Sequence, residues 1–160
     1  MRADINSFKL PRYKEIPNVG LYLEQTVKYI NDILLPLGCV QITTSMVSNY
    51  VKKGLIQRPV KKQYNRDQIA YLIFVALGKN VISMENIATL FTLQAQSYDN
   101  ETAYNYFCTE LENMLLVVFG YKQQPDLVGV TVSNIKSMLR STIVALAQIV
   151  YLNDAFEEIR

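Results

Sequence analysis

The sequence contains no histidine and no tryptophan, only two cysteines, and six glycines that are never adjacent. Without histidine the chain cannot supply an imidazole acid or base, or the Ser-His-Asp and Cys-His pairs of common hydrolases. Two thiols without imidazole are too few for a zinc site within one chain, and isolated glycines do not form a phosphate-cradling loop. We therefore predict a protein that is not an enzyme and holds no metal and no cofactor, with carboxylate-only chemistry left open.

Long apolar runs are also lacking, and we expect no signal peptide. The most apolar stretch, Ser141 to Leu152, is shorter than the roughly 20 residues that a membrane span needs. Cys39 and Cys108 each lie in an apolar neighbourhood, which favours buried free thiols in a reducing compartment over the alternative of a redox pair. The expectation is a cytoplasmic, nucleoid-associated protein that makes no contact with a membrane.

Charge is unevenly distributed along the chain, although the net charge is only +2. Residues 1–80 contain twelve Lys and Arg against five Asp and Glu, a balance of +7. Residues 81–160 contain four against nine, a balance of −5. A basic front half and an acidic back half indicate two different roles.

Helix caps and breakers divide the chain into three predicted parts. Residues 1–17 form an extended arm, residues 18–95 a helical domain with a small hairpin, and residues 96–160 an all-helical region. In the front domain we expect Asn18 to cap a helix over Val19–Leu34, and Thr43 or Thr44 to cap a helix that runs to about Lys53 and ends at Gly54. A hairpin or wing is expected over Leu55–Tyr64. Asn65, with Gln68 as its capping-box partner, should begin the next helix, and Ser83 should cap the last.

Two longer helices are predicted in the back region. Asp99 or Asn100 begins one that runs to about Phe119, and Ser133 begins another of about 25 residues. The second is longer than a compact core of this size can cover, so its surplus apolar surface predicts a homodimer. Four tyrosines are candidates for a small-molecule effector pocket, against the alternative that they fill core and surface: Tyr98, Tyr104, Tyr106 and Tyr121.

Residues 42–80 carry the strongest functional signal. The first helix of this segment has one apolar face and, opposite it, a short hydrogen-bonding face suited to base edges in the major groove. No Asp or Glu occurs from Ile33 to Arg66, a pattern expected of phosphate binding, since a merely solvated face mixes both signs. The apolar face comprises Val47, Tyr50 and Val51, and the candidates for base readout are Ser45, Ser48, Asn49 and Lys52.

The remaining basic and polar residues are assigned to phosphate contacts, which position a protein on DNA without reading its sequence. These assignments predict sequence-specific binding to double-stranded operator DNA. The alternative is an interaction module that binds an acidic protein partner through the same basic run. The candidate phosphate contacts are Thr44, Lys53, Arg58, Lys61, Lys62 and Arg66, joined by Arg12 and Lys14 if the arm is ordered.

The run from Ser48 to Ile56, a basic wing, Tyr64 and the helix containing Ile69 and Leu72 resemble the DNA-binding domain of mercury-resistance-type (MerR-type) regulators. The resemblance covers about residues 20–95. It implies a mainly α-helical winged helix-turn-helix with a small β-hairpin wing, bound as a dimer to a pseudo-palindromic operator. Ser48 departs from that pattern, because the superfamily usually has Arg in this part of the recognition helix.

A longer resemblance links the chain to the bacterial family of domain of unknown function 1836. Three runs carry it: Leu10–Pro17, Ser45–Ile56 and Arg66–Ile73. Members come mainly from Gram-positive bacteria and are thought to be regulators. The resemblance therefore implies a bacterial transcriptional regulator, which we expect to act as a dimeric repressor.

Overall fold

A computed structural model describes residues 2–38, 41–124 and 133–160, with side chains from Ile5 onward, so Cys39 lies outside it. This part of the chain is mainly helical and carries one small antiparallel sheet, as the sequence predicts. Its elements are α1 Arg2–Ser7, a 3-10 turn Tyr13–Glu15, β1 Leu21–Tyr22, α2 Leu23–Leu34, a 3-10 turn Leu35–Leu37, α3 Thr44–Lys52, β2 Gln63–Tyr64, α4 Arg66–Gly78, α5 Met84–Ser97, α6 Asn100–Val118 and α7 Asn134–Ile159.

The helix α4 lies at the centre of the core. Ten of its 13 residues are buried, because its sequence from Ile69 to Leu77 offers no polar face. A helix that is apolar on all sides must be covered on all sides. The helices α2 and α7 contact it, and Phe74 packs against the rings of Phe91 in α5 and Phe107 in α6. Front and back regions therefore share one core.

The first helix of the front domain begins later than predicted. Asn18 does not cap it, since Leu21 and Tyr22 form β1 and α2 starts at Leu23. Gly20 adopts φ +85°, a left-handed conformation that interrupts any helix started upstream. The strand β1 pairs with β2 in antiparallel register, Leu21 opposite Tyr64. The small sheet thus joins the start of the domain to the end of the predicted hairpin.

The connection between α2 and α3 is fixed by one side chain. The Asn31 amide donates to the carbonyl oxygen of Ile42 at 2.9 Å, and its oxygen accepts from the Ile42 N–H at 2.9 Å. Thr43 then caps α3 by accepting from the Met46 N–H. Gly54 follows the helix with φ +79°, as expected at a helix end. The predicted bounds of α3 are confirmed.

The other predicted helix caps are also confirmed. Each is a short polar side chain that accepts a hydrogen bond from a backbone N–H of the first turn, which satisfies a donor that the helix leaves unpaired. Asn65 caps α4 with Gln68 as its capping-box partner, Ser83 caps α5, Asp99 caps α6 and Ser133 caps α7.

The prediction of an extended arm over residues 1–17 was wrong. Residues 2–7 are helical, and Ile5, Leu10 and Ile16 are almost fully buried. The anchor is Glu112 of α6, whose carboxylate accepts from the Leu10 N–H at 2.8 Å and from the Arg12 guanidinium at 2.7 and 2.9 Å. The two prolines break the periodicity of this segment, but its apolar residues still enter the core.

The helix α7 packs along α6, and its predicted length is confirmed. Ile143, Leu146 and Val150 are buried on one face, and Cys108 of α6 is fully buried as a free thiol. Burial raises the pKa of that thiol to about 12. By length and composition α7 could cross a bilayer, but the core helix of a soluble protein can have the same length and composition.

Acid should destabilise the fold through Glu112. Burial alone would raise the pKa of Glu112, but the hydrogen bonds from Arg12 and Leu10 and the charges of Arg12 and Lys9 hold it below its ordinary value of 4.5. The stability that this carboxylate contributes is present above pH 4.5 and is lost as the pH falls through the lower, folded-state pKa. We expect Glu112→Gln to lower the free energy of unfolding at neutral pH by about 1–3 kcal/mol and to flatten this acid dependence.

Urea unfolding between about pH 7 and pH 3 measures both effects. Glu157→Gln is the control, because Glu157 is an exposed partner of Arg160 and should leave the profile unchanged. Parallel profiles for wild type and Glu112→Gln would rule out this carboxylate as the source.

Candidate nucleic-acid interface and internal cavity

The helix α3 presents a polar face to solvent. Its buried face packs against the core and includes Tyr50, which is a core residue as predicted. Burial raises the pKa of the Tyr50 phenol. None of the four candidate base-reading side chains forms a hydrogen bond or ion pair with the described residues, so their polar groups are available. Ser45, Ser48 and Lys52 are exposed, and Asn49 is half-buried.

A two-residue turn follows α3 and carries adjacent lysines at its tip. Val60 and Gln63 exchange backbone hydrogen bonds of 3.1 and 2.9 Å, with Lys61 at φ 51° and Lys62 at φ 64° between them. Two positive φ values are those of a type I′ turn, which favours Asn-Gly. Lysine pays a steric cost in this conformation, roughly 1–2 kcal/mol per residue. We call Val60–Gln63 the lysine turn.

Gln68, at the start of α4, holds the segment before the lysine turn in place. Its side chain is 4% exposed. The Nε2 group donates to the carbonyl oxygens of Gln57 at 2.9 Å and Arg58 at 3.0 Å. The Oε1 atom accepts from the Asn65 N–H at 2.7 Å. The sequence predicted only the last of these contacts, because the capping-box spacing is local whereas the other two depend on how the loop folds back.

Five cations form what we call the basic cluster. All five are exposed, and the described residues supply no ion pair, hydrogen bond or ring contact to their side chains. Most other Lys and Arg with described side chains are engaged, for example Lys28 with Asp32 and Arg140 with Glu110. Glu85 lines the same shallow hollow as Lys53 without forming an ion pair within 4.0 Å. The basic cluster comprises Lys52, Lys53, Arg58, Lys61 and Lys62.

Two arginines predicted as phosphate contacts have other partners. The Arg12 guanidinium is paired with Glu112, whose side chain is 5% exposed. Arg66 donates to the carbonyl oxygens of Ile16 and Lys14 and lies over the Tyr13 ring. Neither guanidinium is available to a phosphate without breaking these contacts. Two other candidate phosphate contacts are at least partly accessible to solvent. Thr44 is half-buried, and Lys14 is exposed, with its Nζ atom 3.9 Å from Glu101 Oε2.

A partly open cavity of about 160 Å³ lies between α4, α5, α6 and α7. Three of the four tyrosines proposed for a pocket line it, namely Tyr98, Tyr104 and Tyr106. Tyr121 does not, and is largely exposed. Sequence reasoning missed the remaining lining residues, because they come from four helices whose relative placement the helical periodicity does not specify; they include Phe74, Phe91, Phe107 and Lys136. Among the described residues, no group of three His, Cys, Asp or Glu could hold a metal ion.

Comparison with known proteins places the chain in a family. The family described as domain of unknown function (DUF1836) matches residues 11–107, and the chain belongs to it, as its motifs predicted. The matched range extends past the domain boundary predicted at residue 95 and includes the contact in which the Tyr104 hydroxyl donates to the Pro11 carbonyl. No curated protein and no solved structure matches the chain.

Replacing the lysine turn by Lys61→Asn with Lys62→Gly should stabilise the protein. The new residues fit positive φ, so we expect the free energy of unfolding to rise by about 1–2 kcal/mol. Chemical denaturation measures the gain. The double variant Lys61→Ala with Lys62→Ala removes the same two charges and keeps the strained turn, so it should show no such gain. Equal stability of the two double variants would mean that relief of backbone strain contributes nothing.

Proposed function

We propose that this protein is a sequence-specific, double-stranded-DNA-binding transcriptional regulator that acts as a dimeric repressor. The observation that carries the proposal is the basic cluster. Folded proteins usually mix both signs of charge on a solvated face, whereas these five cations lie together along the chain from Lys52 to Lys62 and none has an acidic partner among the described residues. Such a surface suits the phosphate backbone of a duplex.

The order of elements supports a winged helix-turn-helix interpretation of the same segment. The short helix α3 follows α2 through a fixed connection, and the lysine turn and β2 come next, with β1 pairing alongside. In such domains the second helix enters the major groove, where hydroxyl, amide and ammonium groups read base edges. The exposed face of α3 would then read bases, and the lysine turn would meet the backbone or minor groove.

Selection of genomic fragments by the purified full-length chain tests the proposal. We expect one sequence to be enriched over bulk DNA, with an affinity that falls as salt rises. Failure to enrich any fragment would overturn the regulator proposal. Retention of an acidic protein under the same conditions would instead favour the interaction-module alternative.

Neighbouring lysines should separate base readout from phosphate contact. Lys52, on the exposed face of α3, should read a base, so Lys52→Ala should cost about 1–3 kcal/mol on the selected site and relax its preference at one base pair. Lys53, one residue beyond the helix, should contact phosphate. Lys53→Ala should therefore weaken binding to all DNA sequences alike. It should also reduce, by about one, the steepness with which the logarithm of the binding constant falls with the logarithm of the salt concentration. Binding titrations on the selected site and on scrambled DNA measure both.

Arg160→Ala is the control, because it removes one positive charge from the end of α7, outside the basic cluster. It should leave the salt dependence of DNA binding within error of wild type. If Lys52→Ala and Lys53→Ala changed specificity and salt dependence identically, the assignment of separate roles would be incorrect.

The dimer is proposed from the end of α7. Leu152, Phe156 and Ile159 are 48%, 56% and 80% exposed and recur at helical spacing, which leaves an apolar stripe without cover in a single chain. Sedimentation at micromolar concentration should give about twice the monomer mass. We expect Phe156→Asp to shift the protein toward monomer, whereas Val19→Asp, at another exposed apolar residue, should not. A wild-type monomer would contradict this prediction.

A further inference from the structure

We propose that the partly open cavity between α4, α5, α6 and α7 is a binding site for a small aromatic carboxylate, a planar ring that carries one acidic group. This proposal goes beyond DNA binding and does not depend on it. The size of the cavity is the first argument. An apolar cavity of roughly 150 Å³ takes up a benzene ring, and this one has about 160 Å³. The space therefore suits one ring and a short substituent.

The lining favours an aromatic occupant. Three phenylalanines and four tyrosines contribute ring surface, and aromatic pairs gain stability beyond the burial of area alone. Several polar groups around the cavity already have partners. The Tyr104 hydroxyl donates to the Pro11 carbonyl, and the Tyr71 hydroxyl lies 2.7 Å from Gln94 Oε1 and 2.9 Å from Asn100 Oδ1. What these residues offer a ligand is mostly apolar surface.

Lys136 is the residue that would pair with the acidic group of the ligand. The ammonium lies 5.7 Å from the Tyr98 ring centroid and 5.5 Å from that of Tyr106, and the described residues place no carboxylate within 4.0 Å of it. Asp67, the one carboxylate among the described residues that lines the cavity, accepts a hydrogen bond from the Tyr13 hydroxyl at 2.7 Å. A ligand carboxylate on Lys136 would complete the charge pairing while its ring occupies the cavity.

Three probe molecules separate the contributions of ring and charge. Benzoate carries both, benzyl alcohol carries the ring alone, and acetate carries the charge alone. Titration of the full chain, followed by isotope-edited NMR, should show saturable binding of benzoate. Benzyl alcohol should bind about tenfold more weakly or worse, and acetate should produce no saturable shift. Equal affinities for benzoate and benzyl alcohol, or no binding of either, would overturn the proposal.

Two variants and one control variant locate the site. Lys136→Met keeps the length and apolar stem of the side chain, so it should remove the advantage of benzoate over benzyl alcohol without abolishing binding of the ring. Ala103→Phe fills the cavity and should abolish both, whereas Ala95→Phe places the same ring on the exposed face of α5 and should change neither. Should Ala103→Phe fail to fold, Lys136→Met still decides, because an unchanged preference for benzoate would refute the proposal. The titration contains no DNA, so a negative result would overturn the ligand proposal without bearing on the proposed binding to an operator.

Discussion

The central helix α4 has no face that tolerates water, and this constraint organises the rest of the structure. Ten of its 13 residues are buried, and the surfaces that cover them come from both ends of the chain. The basic front and acidic back therefore differ in charge without being separate in packing. Because α4 begins two residues after β2, the position of the lysine turn is tied directly to the most buried element of the protein.

The anchoring of the N-terminal segment follows from the same shared core. Glu112 is 5% exposed, and a buried carboxylate is tolerated only when it is paired and hydrogen-bonded. Arg12 and the Leu10 N–H supply those partners across about one hundred residues of sequence. A guanidinium held in this way is a structural group. The charge of an arginine in the sequence thus does not reveal whether it is available to a ligand, and only the position of its partner decides.

Local signals were enough to predict the helices and most of their caps, since Thr43, Asn65, Ser83 and Ser133 act within four residues of themselves. The exposed face of α3 followed from helical periodicity for the same reason. Long-range contacts were not predictable. The pairing of β1 with β2, the burial of the N-terminal segment and the convergence of four helices on the cavity depend on which elements meet in three dimensions, and a single sequence does not specify that.

The lysine turn connects stability to the proposed role. Asn-Gly would occupy its two positive φ positions with less strain, yet the chain has Lys61 and Lys62 there, and the described residues give neither side chain a partner. Strain of this kind persists only where the surroundings over-determine it, and Gln68 supplies such a constraint by holding the carbonyl groups of Gln57 and Arg58. A ligand in the cavity would contact the same helix that carries Gln68. The residues that line the cavity and the side chain that holds the loop before the lysine turn therefore lie on one buried helix.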